Sequence, residues 1–379
     1  MAFSIHVHQS MLQSLLDLDA ARFDRPDILK AVAKAARSLA ELKGVAETIP
    51  NEGILLNTLS IQEAKDSSAI ENIITTHDEV FQGGQTDAAG PAAKEVENYR
   101  AALRVGFADV MRSRLLTVNQ ILTIQRTLEG NDAGFRTQAG TKLMTSDGRT
   151  VYTPPQSPAE IVRLMGALER FINDDALLDA DPLVKMALMH HQFESIHPFY
   201  DGNGRTGRIL NVLYLVKQGL LRVPVLYMSR HIVSTKDEYY RLLQAVRDEQ
   251  AWEAWVLYMM EAVQQSALDG IDKVRGIKDL LLEVKHRMRE QHRFYSQDLV
   301  NNIFSHPYTK IDFVMQDLRV SRLTATNYLD ALVDTGFLTK RRIGRSNFYI
   351  NAPLFLILAG EPPPAGDGEA ASQASRTPD

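Results

Sequence analysis

The sequence predicts a mainly α protein with one small β-hairpin in its body and a separate helix-and-hairpin module towards its C-terminal end. Three observations carry this. Apolar residues recur at three- and four-residue steps through most of the chain. One stretch of the body, Ser146-Asp147-Gly148, carries a hairpin turn signal. Beyond the long charged run that ends near Arg293, the helical pattern shortens and gives way to two apolar segments around a basic glycine turn.

Taken in order, Asp27–Lys43 reads as a helix, and Asn51 to Asn57 as a break. A helix then runs through Glu63–Asn72. Gly83 to Pro91 is a loop by composition. Helical periodicity resumes over Lys94–Met111 and Val118–Leu128. Gly134-Phe135-Arg136 leads through Thr141-Lys142-Leu143 and the Asp-Gly turn to Val151-Tyr152-Thr153-Pro154-Pro155, a hairpin closed by two prolines. Glu160–Asn173, Pro182–Ser195 and Gln250–Gln264 are helices, and a charged helix over about Ile271–Arg293 follows.

The C-terminal module reads as three helices and a hairpin. Gln297–Ile303 ends before His306-Pro307, Lys310–Asp317 follows, and Ser321 is a natural N-cap for the next helix. Leu323, Leu329 and Leu332 are expected on its buried side, and Gly336 ends it. Phe337 to Asn351 then reads as strand, basic turn, strand. The arrangement resembles a winged helix, with Arg322, Thr324, Thr326 and Asn327 exposed and Lys340, Arg341, Arg342 and Arg345 on the wing. Such a basic wing suits the phosphates of DNA. The alternative is a protein-binding or dimerisation module, since several acidic residues dilute the charge.

Composition narrows the class. With 45% hydrophobic residues the chain can bury real cores, and no stretch approaches the roughly 18 apolar residues of a membrane span. There is no basic-plus-apolar leader, and there are no cysteines, which excludes disulfides and thiol chemistry. A cytoplasmic protein is the expectation. The net charge of −5 is mild and does not select a partner. The tail from Glu361, rich in Pro, Gly, Ala and Ser, is expected to be disordered.

The chemistry concentrates in His197-Pro198-Phe199-Tyr200-Asp201-Gly202-Asn203-Gly204-Arg205-Thr206-Gly207-Arg208. Glycines on either side of Asn203 allow a sharp turn whose N–H groups form an anion-binding nest. The apolar run after Arg208 makes this turn the start of a helix, where the dipole favours phosphate. Arg205 and Arg208, three apart, share a helical face and offer guanidinium forks. Asp201 is placed to hold Mg²⁺ between phosphates. His197, with an ordinary pKa of roughly 6.5, can take a proton from an attacking hydroxyl. His190, His191, Glu194 and His197 are dense enough to raise a zinc site. Their order is not His-Glu-x-x-His, three-residue steps drift round a helix, and Pro198 ends it. Packing of His190 or His191 beside Met186, Leu188 and Met189 is the preferred reading.

The segment resembles the Fic-domain motif H-x-F-x-D/E-G-N-G-R-x-x-R and matches every fixed position. That resemblance implies transfer of AMP from ATP to a Tyr, Thr or Ser hydroxyl of a protein, possible self-modification included, with release of pyrophosphate. It makes His197 the general base and Asp201 the Mg²⁺ ligand. It places Gly202, Asn203, Gly204, Thr206 and Gly207 around the phosphates, with Arg205 and Arg208 on their oxygens. Doc-type relatives, which phosphorylate, lack the full Gly-Asn-Gly-Arg-x-x-Arg pattern. The hairpin resembles the flap that holds a target by strand addition, through Val151 and Tyr152. Lys236-Asp237-Glu238-Tyr239-Tyr240 resembles the adenosine-contacting region; either tyrosine is equally readable as a core aromatic.

Upstream, Ser67-Ser68-Ala69-Ile70-Glu71-Asn72 resembles the family's inhibitory motif, S/T-x-x-x-E-G/N. Ser67 and Glu71 are four apart and share a helical face. The resemblance implies a pairing of Glu71 with Arg208 that keeps the arginine from ATP. The expected organisation is an N-terminal helical region to 115 with the inhibitory motif, a Fic core over 116–270, a linker helix over 271–293, a winged helix over 294–358 and the tail over 359–379. Two other functions stay open: a nucleotide-sensing, DNA-binding regulator, and removal of AMP with Glu71 positioning water. Homodimerisation is open too.

Overall fold

The computed structural model describes residues 12, 14–77, 79–80, 90–145, 148–343 and 346–360. The loop expected over 83–89, the turn residues Ser146 and Asp147, wing residue Arg345 and the tail from Glu361 lie outside the described residues. The chain divides into two units, one made of 1–37, 101–220 and 234–264, the other of 38–100, 221–233 and 265–379.

In the first unit a helix that is buried along its whole length forms the centre. This is α6, Pro182–Ile196, and every residue from Leu183 to Ile196 is buried. Its start is set by Asp181, whose Oδ1 accepts the Leu183 N–H at 2.8 Å, with Pro182 at the first helical position. Two neighbours in the unit cover it: α5, Pro158–Asn173, and α7, Asn203–Lys217. A further helix, α4, Val118–Glu129, lies against α5 and α7. It opens with a capping box in which Thr117 and Gln120 satisfy each other's backbone N–H groups. The hairpin pairs β1, Leu143–Met144, with β2, Thr150–Tyr152, in antiparallel register, Leu143 opposite Tyr152. The unit closes with α9, Lys236–Glu249, and the first turns of the long helix that follows it.

The second unit is organised on α2, Glu52–Ile70. The expected break before it is short: Asn51 caps the helix by accepting the Gly53 N–H at 3.0 Å, and helix follows at once. This helix has no simple apolar stripe. Thr58, Ser60, Gln62, Glu63, Ser67 and Ser68 are buried along with its aliphatic residues, because it is enclosed rather than laid on a surface. Glu63 shows how the polar groups are satisfied. Its carboxylate accepts from the Ser229 hydroxyl at 2.6 Å, the Ser229 N–H at 3.2 Å and the Tyr99 hydroxyl at 3.2 Å.

The patterns read as helices over 250–264 and 271–293 run together in one 40-residue helix, α10, Trp252–Gln291. Nothing between them stops a helix, and Ala267 and Ile271 continue the buried side at a four-residue step. Beyond it come α11, Gln297–Ser305; β3, Tyr308–Thr309; α12, Ile311–Leu318; α13, Arg322–Asp334; β4, Thr339–Ile343; β5, Ser346–Ile350; and α14, Ala352–Ala359. The three strands pair in the order β3-β5-β4, all antiparallel. Both α11 and α14 pack on α2.

One expectation for this module needs correction. Leu323 is 72% exposed, whereas Ala325, Leu329 and Leu332 are fully buried. Positions 325, 329 and 332 follow the four-then-three helical step, and 323 falls off that face. Of the residues expected to meet DNA, Arg322 is ion-paired with Asp312 at 2.9 Å and Lys340 with Asp330 at 2.7 Å. Their charge is therefore partly neutralised within the module.

Candidate functional site

The loop between α6 and α7 carries the motif. Helix α6 ends at His197, which takes the left-handed conformation (φ 48°, ψ 59°) uncommon for a residue with a Cβ. The last four carbonyls of a helix lack partners within it. Here each finds one. Phe193 O accepts the His197 N–H at 3.0 Å, and Ser195 O accepts the Tyr152 hydroxyl at 3.0 Å. Glu194 O lies 3.5 Å from Arg247 Nη2, and Ile196 O lies 3.4 Å from Arg136 Nη2. Three of the four partners thus come from the hairpin, the segment before it and α9.

The loop itself is tied from inside. Phe199 is fully buried, its ring 5.3 Å from that of Phe135 and 6.3 Å from that of Phe193. Asn203 bonds the Phe199 backbone at both ends of its amide, accepting the N–H and donating to the carbonyl at 2.9 Å each. Its side chain is therefore committed to shaping the turn. Gly202 has φ +74°, and a Cβ there would stand 2.2 Å from Glu129 Oε1. Position 202 thus disfavours a side chain on two grounds. It is the N-cap of α7 without a side chain to cap it, so the helix opens on backbone N–H groups.

Asp201 sits at the mouth of this turn with its side chain 76% exposed. Its Oδ1 accepts the Gly202 N–H at 2.7 Å and lies 3.6 Å from Arg205 Nη2. Arg205 is buried, and its Nη2 also pairs with Glu129 Oε1 at 3.0 Å. The first motif arginine therefore braces Asp201. Thr206 is fully buried, as is Arg208 but for 4% of its surface. Gly207 faces α6: a Cβ there would come within 2.9 Å of Glu194 Oε1 and 3.2 Å of the Phe193 ring. This glycine allows close approach of the two helices.

His197 is held as a neutral imidazole. Burial, then the cations Arg136 and Arg247, pull its pKa down to about 4, against smaller opposing effects of the Glu194 carbonyl and Asp201. The other histidines are committed to packing. His190 is bonded to Tyr239 at 2.8 Å and Asn211 at 3.0 Å, and stacks on Trp255. His191 bonds the Leu243 carbonyl at 3.1 Å. Among the described residues, no group of three or more His, Asp or Glu is placed to hold a metal. Asp201 alone fits a divalent ion of the kind that takes one carboxylate and completes its shell with phosphate oxygens and water.

The two tyrosines of α9 separate. Tyr239 is 2% exposed, its hydroxyl spent on His190, its ring among Tyr240, Trp255 and Tyr258. It packs as a core aromatic, the other of the two readings its sequence allowed. Tyr240, 47% exposed, keeps an open face. In the hairpin, Val151 points out and is 42% exposed. Tyr152 points in, bonded to Ser195 O with Arg247 4.0 Å over its ring, so its side chain anchors the hairpin.

In the second unit, Ser67 is fully buried and Glu71, half-buried, ends α2. Asn72 has φ 64°, and the Ile73 N–H returns to Ser68 O at 3.0 Å. A left-handed residue after a helix favours glycine, then asparagine, which explains G/N at that motif position.

The comparisons with known proteins agree with this architecture. Residues 115–215 match the Fic/DOC family, residues 29–108 match its N-terminal region, and residues 280–354 match the C-terminal domain described as protein adenylyltransferase SoFic-like. The chain carries a Fic domain. The Fic domain and its two flanking regions together account for most of the described residues. Among curated relatives, "Protein adenylyltransferase fic-1" of Caenorhabditis elegans is 30% identical over 128 residues, 34% of this chain and 23% of that protein. "Protein adenylyltransferase Fic" of Aedes aegypti is 26% identical over 251 residues, 63% of this chain and 46% of that protein. This Fic protein therefore spans less than half the length of either relative. The crystal structure of a Fic family protein from Desulfovibrio desulfuricans G20 shares the fold, with TM-score 0.56 and 21% identity over 86% of this chain and 96% of that one. The Fic-1 fragment from C. elegans does so at TM-score 0.51 and 22% identity, over 65% and 73%.

Sequence reasoning named the motif but missed Glu129 and Arg247, and gave Arg136 no role of its own. Glu129 had no local signal. Arg247 lies one turn beyond Leu243 on α9, and only the fold reveals that it reaches Ser195.

Proposed function

We propose that this protein transfers AMP from ATP to a hydroxyl side chain of a protein, with its own chain among the acceptors. The observation that carries the reading is the pairing of His197, a buried neutral imidazole at the end of α6, with a side-chain-free helix N-terminus five residues on. The acceptor oxygen attacks the α-phosphorus, and the bond from that phosphorus to the α–β bridging oxygen breaks. Pyrophosphate leaves, and the acceptor's proton passes to His197. The N–H groups opening α7, with Arg205 and Arg208 behind them, offset the phosphate charge. Mg²⁺ held by Asp201 would supply further charge neutralisation on the phosphates.

The inhibitory role of Glu71 toward Arg208 belongs to the same proposal and rests on the motif S67-x-x-x-E71-N72. An α-phosphate displaced by about 1 Å would lower the rate on the order of 100-fold. The test is transfer of labelled AMP by the wild-type chain, by Glu71→Gly and by His197→Ala. Glu71→Gly should raise automodification, and His197→Ala should lower transfer by at least about 100-fold while ATP still binds. A Glu71→Gly chain that binds ATP but transfers nothing would leave a nucleotide sensor as the better reading.

A further inference from the structure

We propose that Arg136 is the positioning residue of this site: its guanidinium fork fixes the backbone at His197 and fastens the hairpin to it. This rests on the function proposed above. Arg136 precedes the hairpin in sequence and is 1% exposed. Its Nε donates to the His197 carbonyl at 2.8 Å, and Nη2 donates to Ile196 O at 3.4 Å and to Pro155 O. Its own N–H donates to Pro198 O at 2.9 Å. One side chain and one amide thus hold Ile196, His197 and Pro198, where α6 passes into the motif loop, together with the hairpin's closing proline.

Three points make this more than burial of a long side chain. A guanidinium out of water normally meets a carboxylate, yet Arg136 has none among the described residues. Two of its partners, Ile196 O and His197 O, are carbonyls at the negative end of α6, where a cation is favoured. The residue it grips is also the one in a strained conformation: a left-handed His persists only where its surroundings over-determine it. Finally, the fork spans Pro155 and His197 at once. A target strand added to the hairpin would then be carried on the same bracket as the base that serves it, so hydroxyl and imidazole stay in register.

Arg136→Lys keeps the charge and loses the fork; Arg136→Gln loses the charge. Both should lower kcat for AMP transfer on the order of 100-fold with KM for ATP changed by no more than about twofold, the pattern of lost positioning. Two readouts do not depend on activity. Exchange of the His197 amide should quicken in Arg136→Lys. The imidazole midpoint, followed by histidine NMR, should rise in Arg136→Gln from about 4 toward the ordinary value. If Arg136→Gln does not fold, Arg136→Lys decides by kcat and exchange. A folded variant with wild-type kcat, or wild-type exchange and titration at His197, overturns the proposal. A wild-type chain that transfers no AMP would instead retire the functional reading, with the NMR and exchange results still deciding on Arg136.

Discussion

The carboxamide of Asn203 closes a ring on the backbone of Phe199, accepting its N–H and donating to its carbonyl at 2.9 Å each. No other common side chain of that size both accepts and donates in one plane. Replacing it by Asp keeps the acceptor but sets a carboxylate oxygen against the Phe199 carbonyl. Asn203→Asp should therefore cost about 1–3 kcal/mol of stability, from a buried acceptor left unpaired. It should also slow AMP transfer. A urea titration beside a labelled-AMP assay checks both, and an unchanged midpoint would contradict the ring's structural role.

Gly202→Ala attacks the same turn differently. An Ala at φ +74° carries a penalty of roughly 1–2 kcal/mol. Its Cβ would also displace Glu129, the carboxylate that holds Arg205. Asp201 would lose its brace in turn. The expected result is a lower melting temperature with a weakened dependence of activity on divalent ion. Melting and turnover measured across a Mg²⁺ series would show whether the two effects go together.

The tyrosines of α9 provide a test of site against core. Tyr239→Phe removes the partner of His190 and should cost about 1–3 kcal/mol without changing KM for ATP. Tyr240→Ala, at a position 47% exposed, should leave stability within about 0.5 kcal/mol. If it stacks on adenine, KM for ATP should rise with stability unaltered. Denaturation curves and ATP titrations of both variants separate these outcomes; a raised KM in Tyr239→Phe alone would reverse the assignment.

Much of this was legible before folding, and what was not shares a cause. The motif at 197–208 declares itself because its chemistry is local: turn, helix start and base lie within twelve consecutive residues. Helix periodicity placed most of the helices for the same reason. Partners distant in sequence gave no such signal. Tyr239 and Tyr240 are adjacent and chemically identical, and only packing against Trp255 and His190 separates core from surface. Gly207 sits inside the motif, yet its reason is Phe193 on the neighbouring helix. Strand β3, two residues long, carries no periodicity and is defined by its pairing with β5.

Acid should weaken the fold in a defined window. Burial, ahead of other effects, takes His190 to about 3 and His197 and His77 to about 4, from an ordinary 6.5. As pH falls below 6.5 the unfolded chain takes up protons that the folded chain refuses until near 3 or 4. Stability is therefore fully present above about pH 6.5 and declines as pH drops, each histidine contributing up to about 1.4 kcal/mol per pH unit in that window. Urea midpoints at pH 7 and pH 5 should differ, with the lower at pH 5. Activity corrected for unfolding should show no limb from His197 between those values, since its base form persists to about pH 4.

The helix that ends in Glu71 depends on the C-terminal module for its cover. Both α11 and α14 lie on α2, and just beyond α2 the His77 ring meets Phe355 edge-on at 6.4 Å. Phe355 is 1% exposed and also contacts Tyr308, at 5.8 Å. Phe355→Ala should destabilise this unit by about 3–5 kcal/mol, and amide exchange in α2 should quicken as its packing loosens. If Glu71 restrains Arg208, the same substitution should raise automodification, because a frayed α2 no longer presents its capping residue, Glu71, in one place. Exchange measured peptide by peptide, beside a labelled-AMP assay, tests the link. Faster exchange with unchanged automodification would separate the fold of α2 from any restraint by Glu71, whereas unchanged exchange would remove the module's claim on α2 altogether.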